Sequence, residues 1–464
     1  MIFIIPVNKN DKITVTVSAL SSNGSGIAKV SGYTLFIPQT LPEDVAEVLV
    51  LKTRSSYGYA KLLKIISPSP RRTDVPCPHF EKCGGCQLMM ADYDYQKEAK
   101  KGFVQDALLH IGGIDRKVDI IGADMPFRYR NKMIFPFDKN GNWGFYRERS
   151  HDVIPLSDCL LGDAKNKDIM GAIADYMKTY GISAYDEENH KGIIRRVFIR
   201  NTKEEFIIVI SANADFLPNS EELIKALLRV SEKISGIILN TNKSRTNLVL
   251  GEKNTVLWGK NTLSASLLGL NYEVSPESFF QVNPVQTEKL YSLALDFADI
   301  KSDDTVLDIY CGIGTITLSA ARKARRAIGV EVVEKAIENA RENAEKNGVK
   351  NAEFYCGKAE NIVPKLLKEG IIPDIVILDP ARKGSDEKTL TAIAEAMPKR
   401  IIYVSCNPAT LARDLKFLAG LGYETKKVTA VDMFPHTAHI ETVALLSRRK
   451  DEPRVQVTMA CKSD

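Results

Sequence analysis

Short apolar runs alternating with helical patterns fill the last two hundred residues, and this alternation constrains the fold more than any other feature. Thr305-Val306-Leu307-Asp308-Ile309-Tyr310 reads as a buried strand and runs into Cys311-Gly312-Ile313-Gly314 and a helix. Ala327 to Glu331, Ala352 to Tyr355, Asp374 to Asp379 and Ile401 to Val404 are the strands that follow, each separated from the next by a helical stretch, one of them 333–347. Strict alternation of this kind predicts a doubly wound parallel sheet, an α/β fold. Two further strands, around Lys426 to Val431 and His439 to Leu446, extend its edge.

Ligands of such sheets bind outside the carboxyl ends of the strands, so residues there carry the chemistry. Gly312 and Gly314 allow close backbone approach, and Glu331 stands roughly 20 residues on, where an acid would hold ribose hydroxyls. The turn is not G-x-G-x-x-G; with Asp308 it suits S-adenosylmethionine, whose sulfonium needs no phosphate cradle. The fourth strand ends on Asp379-Pro380-Ala381-Arg382, and the fifth on Ser405-Cys406-Asn407-Pro408. An isolated cysteine is most often a packed thiol. Cys406 departs from that reading because it follows a strand and opens a helix beside a cofactor pocket, and the helix start predicts a lowered thiol pKa. Cys311 and Cys356 read as structural thiols.

The rest of the chain has a different grammar. Residues 11–66 alternate in short β runs around Asn23-Gly24-Ser25-Gly26, which predicts a five-stranded barrel of a kind that often binds nucleic acid. Ser67-Pro68-Ser69-Pro70 marks a linker. Cys77, Cys83 and Cys86 then crowd into ten positions, and Cys159 is the nearest candidate for a fourth thiolate. Such a set suits zinc or an iron–sulfur centre. A helix over 92–112 carries Gln96, Lys97, Lys100 and Lys101 on an expected polar side. Basic residues interleave with aromatics from Arg128 to Phe137 and from Trp143 to Arg149, and Lys191 to Arg196 adds a second basic run. These could neutralise phosphates and stack bases, although a net charge of only +5 permits RNA binding without requiring it. The eight unevenly spaced cysteines speak against a disulfide framework. The apolar start is too short for a signal core and no run reaches membrane-spanning length, so a cytoplasmic protein without a membrane partner is expected.

Taken in order, the barrel, the cysteine loop with Cys159, Gln281-Val282-Asn283, Asp308 to Gly312, Asp379-Pro380, Ser405 to Pro408 and His439-Ile440-Glu441-Thr442 resemble the RNA uridine-5-methyltransferase family. The resemblance implies a TRAM-like barrel over 1–67, a central iron–sulfur and RNA-binding α/β domain over 68–270, and a Rossmann-like class I methyltransferase domain over 271–464. The helix 92–112 could pack on the last of these. It implies S-adenosylmethionine as cofactor and a 4Fe–4S cluster on Cys77, Cys83, Cys86 and Cys159, with zinc as the alternative.

By the same resemblance Cys406 is the nucleophile, Glu441 the base, and Gln281, Tyr310, Glu331 and Asp379 line the cofactor pocket, Gln281 and Asp379 also reading the uracil edge. Asn283 has no assigned contact. The implied substrate is a uridine in structured RNA, 23S rRNA ahead of the transfer-RNA T-loop because the barrel and the cysteine loop go with the ribosomal branch; no obligate protein partner is implied. A cytosine-5 enzyme would bring a second cysteine near the Asp-Pro loop, which has none. A non-catalytic RNA-binding iron–sulfur protein would have no use for Cys406 beside a cofactor pocket. The chain departs from the family at Ala381, where a second proline is common, which puts the rigidity of that loop in question.

Overall fold

The computed structural model describes residues 5–148, 150–246 and 248–449. Met1 to Ile4 of the apolar start, Arg149 of the basic and aromatic run, and the end of the expected catalytic domain from 450 lie outside the described residues.

The first strands, β1 (Lys12–Leu20), β2 (Gly26–Val30), β3 (Tyr33–Ile37), β4 (Val45–Thr53) and β5 (Tyr57–Ser67), close into a barrel in the order β1-β2-β3-β5-β4. Alternate residues point inward, as in β3, where Tyr33, Leu35 and Ile37 are buried. Gly26 is needed at the β1–β2 corner: a Cβ there would sit 2.1 Å from Thr40 Oγ1 and 2.8 Å from Val17. The proline-rich linker is pinned rather than free. Buried Asp44 accepts from Ser69 N at 2.8 Å and from Arg72 Nε at 2.7 Å, so the barrel is clamped to the segment leaving it.

The helix α1 (Tyr93–Ala107) is capped by Asp92, whose carboxylate accepts from Tyr95 N at 2.7 Å, and it ends in a π-helical turn over Leu108–Gly112. The sequence placed Gln96 and Lys100 on its polar side, yet both are buried. The reason is long range. Lys100 Nζ donates to Asp432 Oδ1 at 2.6 Å and to the Phe434 carbonyl at 2.9 Å, while Gln96 holds His436 through its side chain and backbone. A lysine whose partner lies 332 residues away cannot be told from a solvated one by helical periodicity.

After α1 comes β6 (Val118–Ile121), followed by β7 (Lys132–Pro136), the hairpin of β8 (Gly144–Tyr146) and β9 (Val153–Pro155), and α2 (Asn166–Thr179). A central five-stranded sheet is then completed by β10 (Ile194–Asn201), β11 (Phe206–Ala212), α3 (Ser220–Val230), β12 (Ile234–Thr241) and β13 (Lys253–Gly259), in the order β13-β12-β11-β10-β7. The helices α2 and α3 share a core with it. The next hairpin, β14 (Leu263–Leu267) with β15 (Leu270–Val274), packs into the core of the domain that follows.

That domain carries α4 (Pro284–Ala298), β16 (Thr305–Ile309), α5 (Thr315–Ala321), β17 (Arg326–Glu331), α6 (Glu334–Lys346), β18 (Ala352–Cys356) and α7 (Ala359–Lys368). It continues through β19 (Ile375–Leu378), α8 (Glu387–Glu395), β20 (Arg400–Ser405), α9 (Pro408–Gly420), β21 (Tyr423–Val431) and β22 (Glu441–Arg448). Eight strands run in the order β18-β17-β16-β19-β20-β22-β21-β6. The five strands β16 to β20, from the edge strand β18 inward, are parallel, and β22 is antiparallel to both neighbours. The outermost strand is β6, which comes from the middle of the chain and pairs in parallel with β21 from Val118↔Val428 to Ile121↔Val431. The helix α1 accompanies it onto this sheet, so the segment around 93–121 packs with the catalytic fold.

The Lys100–Asp432 pair is fully buried on both sides, and removing one member leaves the other charge uncompensated. Lys100→Met or Asp432→Asn is therefore expected to lower stability by about 3–5 kcal/mol, measured as a shift in the urea midpoint.

Candidate active site

The order of strands reverses between β16 and β19, and the side chains at the carboxyl ends of β16, β17, β19 and β20 converge around that switch point. Each is set by its own local chemistry. Tyr310 leaves β16 with φ of 68°, a left-handed conformation that costs a non-glycine residue about 1–3 kcal/mol and clusters at functional sites. Its hydroxyl meets Ser385 Oγ at 3.0 Å. Gly314 begins α5 at φ of 84°, with the Phe354 ring 3.1 Å from where a Cβ would stand. Glu331 ends β17 facing this turn and accepts from the backbone N–H of Gly312 at 3.3 Å, Val332 at 2.8 Å and Val333 at 3.0 Å. Glycine turn and carboxylate thus lie where a nucleoside's ribose could sit, with room above Gly312, and the residues present fit S-adenosylmethionine.

Three carboxyls sit in or beside the pocket. Asp308 is buried, accepts from Thr317 Oγ1 at 2.6 Å, and is pushed up to about 7 by desolvation, helped by the charge of Asp379. Asp379 is half-buried at the end of β19, and desolvation raises it to about 6 against a hydrogen bond from the Tyr291 hydroxyl. Glu441 opens β22, is 3% exposed, and is held well above the usual carboxylate range, first by burial and then by Asp379. Its Oε2 has no partner.

Cys406 is half-buried between β20 and α9. Asn407 caps α9 by accepting from Ala409 N at 3.1 Å, and its amide donates to the Arg382 carbonyl at 3.2 Å, which joins the cysteine turn to the Asp379 loop. The lowered thiol pKa expected from the helix start is not what the surroundings produce. Burial, then Glu441 and Asp379, push the thiol up to about 11, and these outweigh the Arg382 charge. The loop containing Ala381 is held without a second proline: Arg413 donates to the Lys383 and Ser385 carbonyls, and Asp414 accepts from Ser385 N at 2.9 Å.

Gln281 is buried just before α4, its carbonyl accepting from Asn131 at 3.1 Å and its side chain reaching Tyr291. Asn283 caps α4 and donates to the Met433 carbonyl at 3.0 Å, a structural task. The residue that sequence reasoning missed is Tyr291. It is 4% exposed on α4, with its hydroxyl between Gln281 and Asp379, and a lone aromatic on a helix reads as core. Cys311 is buried as expected, whereas Cys356 is exposed.

Cys406, Arg382 and His439 open onto a cleft of about 660 Å³ whose far wall is the barrel loop around Asn23 and whose side is Cys83, Cys86 and Gln87. A neighbouring cavity of about 500 Å³ is lined by all four of Cys77, Cys83, Cys86 and Cys159, with Phe80, Met89 and Phe145 supplying apolar walls. Among the described residues no group of three or more His, Cys, Asp or Glu side chains is gathered as a site for a metal ion. Part of the basic runs is committed internally. Arg128 pairs with Asp158 at 2.5 Å, Arg195 is buried on the Asn242 and Ser244 carbonyls, and Arg196 meets Glu187 at 2.9 Å. Arg130 differs in having a buried Nε without a partner. No helix among the described residues is long and apolar enough to cross a membrane.

Over residues 218–449 the chain matches the family described as tRNA (uracil-5-)-methyltransferase, and over 6–63 the TRAM domain. A protein of Clostridium tetani described as an uncharacterized RNA methyltransferase is 42% identical across 97% of this chain and 99% of its own length. One of Halalkalibacterium halodurans with the same description is 43% identical across 95% and 98%. Among solved structures, the Pyrococcus abyssi tRNA (uracil-54, C5)-methyltransferase in complex with S-adenosyl-L-homocysteine superposes over 93% of this chain and 99% of its own. The TM-score is 0.76 and the identity 26%.

The raised thiol has a direct consequence in the free protein. Iodoacetamide should alkylate Cys406 more slowly than the exposed Cys356 near neutral pH, with the Cys406 rate climbing about tenfold per pH unit until the pH approaches about 11. Peptide mapping by mass spectrometry reads both sites; a faster Cys406 at neutral pH would show that burial and the two carboxyls do not govern it.

Proposed function

The chain belongs to the tRNA (uracil-5-)-methyltransferase family, which makes it an S-adenosylmethionine-dependent RNA (uracil-5-)-methyltransferase, and we propose that it methylates carbon 5 of a uridine in 23S rRNA through Cys406. The observation that carries the chemistry is the convergence of Cys406, Glu441 and Asp379 at the ends of three adjacent strands, β20, β22 and β19, with Cys406 opening on the cleft.

Carbon 5 of uracil is too weak a nucleophile to take a methyl group unaided. Cys406 gives up its thiol proton to solvent, its thiolate adds to carbon 6, and the C5=C6 pair moves onto the carbonyl oxygen as an enolate. Bound S-adenosylmethionine supplies the methyl group as a sulfonium cation. Once carbon 5 is methylated, the Glu441 carboxylate takes its proton, the C–H pair re-forms C5=C6, and the thiolate leaves. Gln281, held beside Asp379 by Tyr291, and Asp379 itself present an amide and a carboxyl to the uracil edge. Tyr310 and Glu331 flank the cofactor at the glycine turn.

The barrel loop and the cysteine loop that wall the cleft favour the ribosomal substrate, because that pairing belongs to the ribosomal branch of the family. The Pyrococcus abyssi neighbour, a transfer-RNA enzyme by its title, favours the second reading, a uridine of the tRNA T-loop. For the four cysteines we favour a 4Fe–4S cluster. A cluster fills volume with its own iron and sulfide, so its ligands stand further apart than those of a single ion, and four thiols around one apolar-walled cavity suit it better than zinc.

Labelled S-adenosylmethionine with ribosomal and transfer RNA lacking 5-methyluridine tests the reading. Transfer to 23S rRNA is expected, and none with Cys406→Ala; transfer that survives this change rules out the covalent route. Glu441→Gln should slow release by about 10²–10⁴-fold and accumulate a protein–RNA adduct on denaturing gels. Anaerobic preparations should carry iron and sulfide that are lost when Cys86→Ser is introduced; stoichiometric zinc would refute the cluster.

A further inference from the structure

Glu441 is a buried carboxyl with no cation of its own. Its Oε2 is enclosed and unpartnered, and burial together with Asp379, not any positive group, dominates its surroundings. Every element packed against it offers neutral or acidic groups. Tyr291 faces it from α4, Asp379 from the end of β19 and Cys406 from the end of β20, with Asp308 behind Asp379 on β16. Asp432, at the end of β21, is taken by Lys100. His439 and Arg382 are the basic groups nearest the cleft side, and both line the cleft rather than the interior behind Glu441. Two desolvated carboxyls gathered at the ends of β19 and β22 without a counter-charge, Asp379 raising Glu441, resist ionising together, and they titrate as a pair.

Glu441 must be a carboxylate when it accepts the C5 proton, and positive charge in the pocket favours loss of the proton held by the two carboxyls. We propose that Asp379 and Glu441 share one proton in the free enzyme, and that binding of the sulfonium cofactor expels it, the positive charge of the ligand taking the proton's place. This rests on the reading above that the pocket binds S-adenosylmethionine and that Glu441 is the base.

Charge then balances through the turnover. Before transfer the pocket holds two carboxylates and one sulfonium. Carbon 5 takes the methyl group and the sulfonium charge disappears. The C5–H bond breaks, its electron pair re-forming C5=C6 as the bond between carbon 6 and Cys406 Sγ breaks, and the proton goes to Glu441. The pair regains its proton as the cationic ligand becomes neutral, and Cys406, which gave its thiol proton to solvent on adding to carbon 6, takes one back from solvent on leaving, so that only then does the product complex match the charge state of the free enzyme.

Calorimetric binding of S-adenosylmethionine and S-adenosylhomocysteine to the whole protein at several pH values tests this. The two ligands share their amino-acid and nucleoside groups, so titration of those groups cancels in the ratio of their affinities. Below the pH at which the free pair loses its shared proton, affinity for S-adenosylmethionine relative to S-adenosylhomocysteine should rise by up to about tenfold per pH unit. Its binding heat should also vary with buffer ionisation enthalpy as one released proton requires. Glu441→Gln, which leaves Asp379 as the single carboxyl, raised by burial to about 6, should remove both effects above about pH 6. Equal pH dependence for the two ligands, or a slope that persists above that pH in Glu441→Gln, overturns the proton exchange while leaving the cofactor reading intact. Failure of both ligands to bind overturns that reading and this inference with it.

Discussion

The placement of the candidate base depends on one buried ion pair far from it in sequence. Lys100 on α1 holds Asp432 at 2.6 Å, and from there the loop 432–440 leads to Glu441. That loop has no regular structure of its own, so its position must be supplied by neighbours. Lys100 also takes the Phe434 carbonyl, Tyr93 donates to Asp432 at 2.9 Å, and Tyr129 donates to the Pro435 carbonyl at 3.1 Å. The His436 carbonyl receives the N–H groups of Gln87 and Leu88, and the Phe127 ring stacks on His436 at 4.3 Å. Segments of the cysteine loop, of α1 and of the stretch before β7 therefore all grip the same nine residues. A buried pair of this kind need add little net stability over apolar packing, but it fixes one arrangement of the elements that meet there.

The electrostatics of the pocket follow from what that arrangement encloses. Asp308, Asp379, Glu441 and a thiol are gathered in or beside one pocket where water is scarce; Asp379 raises the other three, and Glu441 raises the thiol as well. A helix start lies directly behind Cys406, yet it does not control the thiol. The macrodipole is worth about 0.3–1 kcal/mol at an exposed terminus, whereas two neighbouring carboxyls and burial act together in the opposite sense. The free protein thus holds a protonated, quiet thiol, and the missing element is positive charge.

Much of the fold was legible because it is written locally. The strands from Thr305 to Ser405 are continuous apolar runs, the barrel strands alternate, and Asn407-Pro408 and Asn283-Pro284 announce helix starts by cap and proline. The positions of Cys406, Glu331 and Asp379 at strand ends came from the same local grammar. What sequence could not supply was non-local. Lys100 and Gln96 looked solvated because their partners are more than three hundred residues away, and β6 gave no sign that it would join a sheet built from the other end of the chain. Arg195 and Arg196 looked like an RNA-facing patch, but carbonyls of a distant loop and Glu187 occupy them. Tyr291 was invisible for a different reason: its apolar ring satisfies the helix pattern, and only its hydroxyl, placed between Gln281 and Asp379, marks it as part of the site.

The shape of the cleft limits what can reach Cys406. The half-buried thiol lines a space bounded on one side by the barrel loop and on another by the cysteine loop, both from the first ninety residues of the chain. A base stacked in a duplex cannot bring carbon 6 to a sulfur held there, so the target uridine must be single-stranded or turned out of its helix. The walls then act on the nucleotides flanking it, since the backbone has to pass between barrel and sheet for one base to enter. A uridine so presented would be selected by the fold of the RNA around it as well as by the pocket, a division of labour that suits a barrel and a cysteine loop built against a sheet whose strand ends carry Cys406, Asp379 and Glu441.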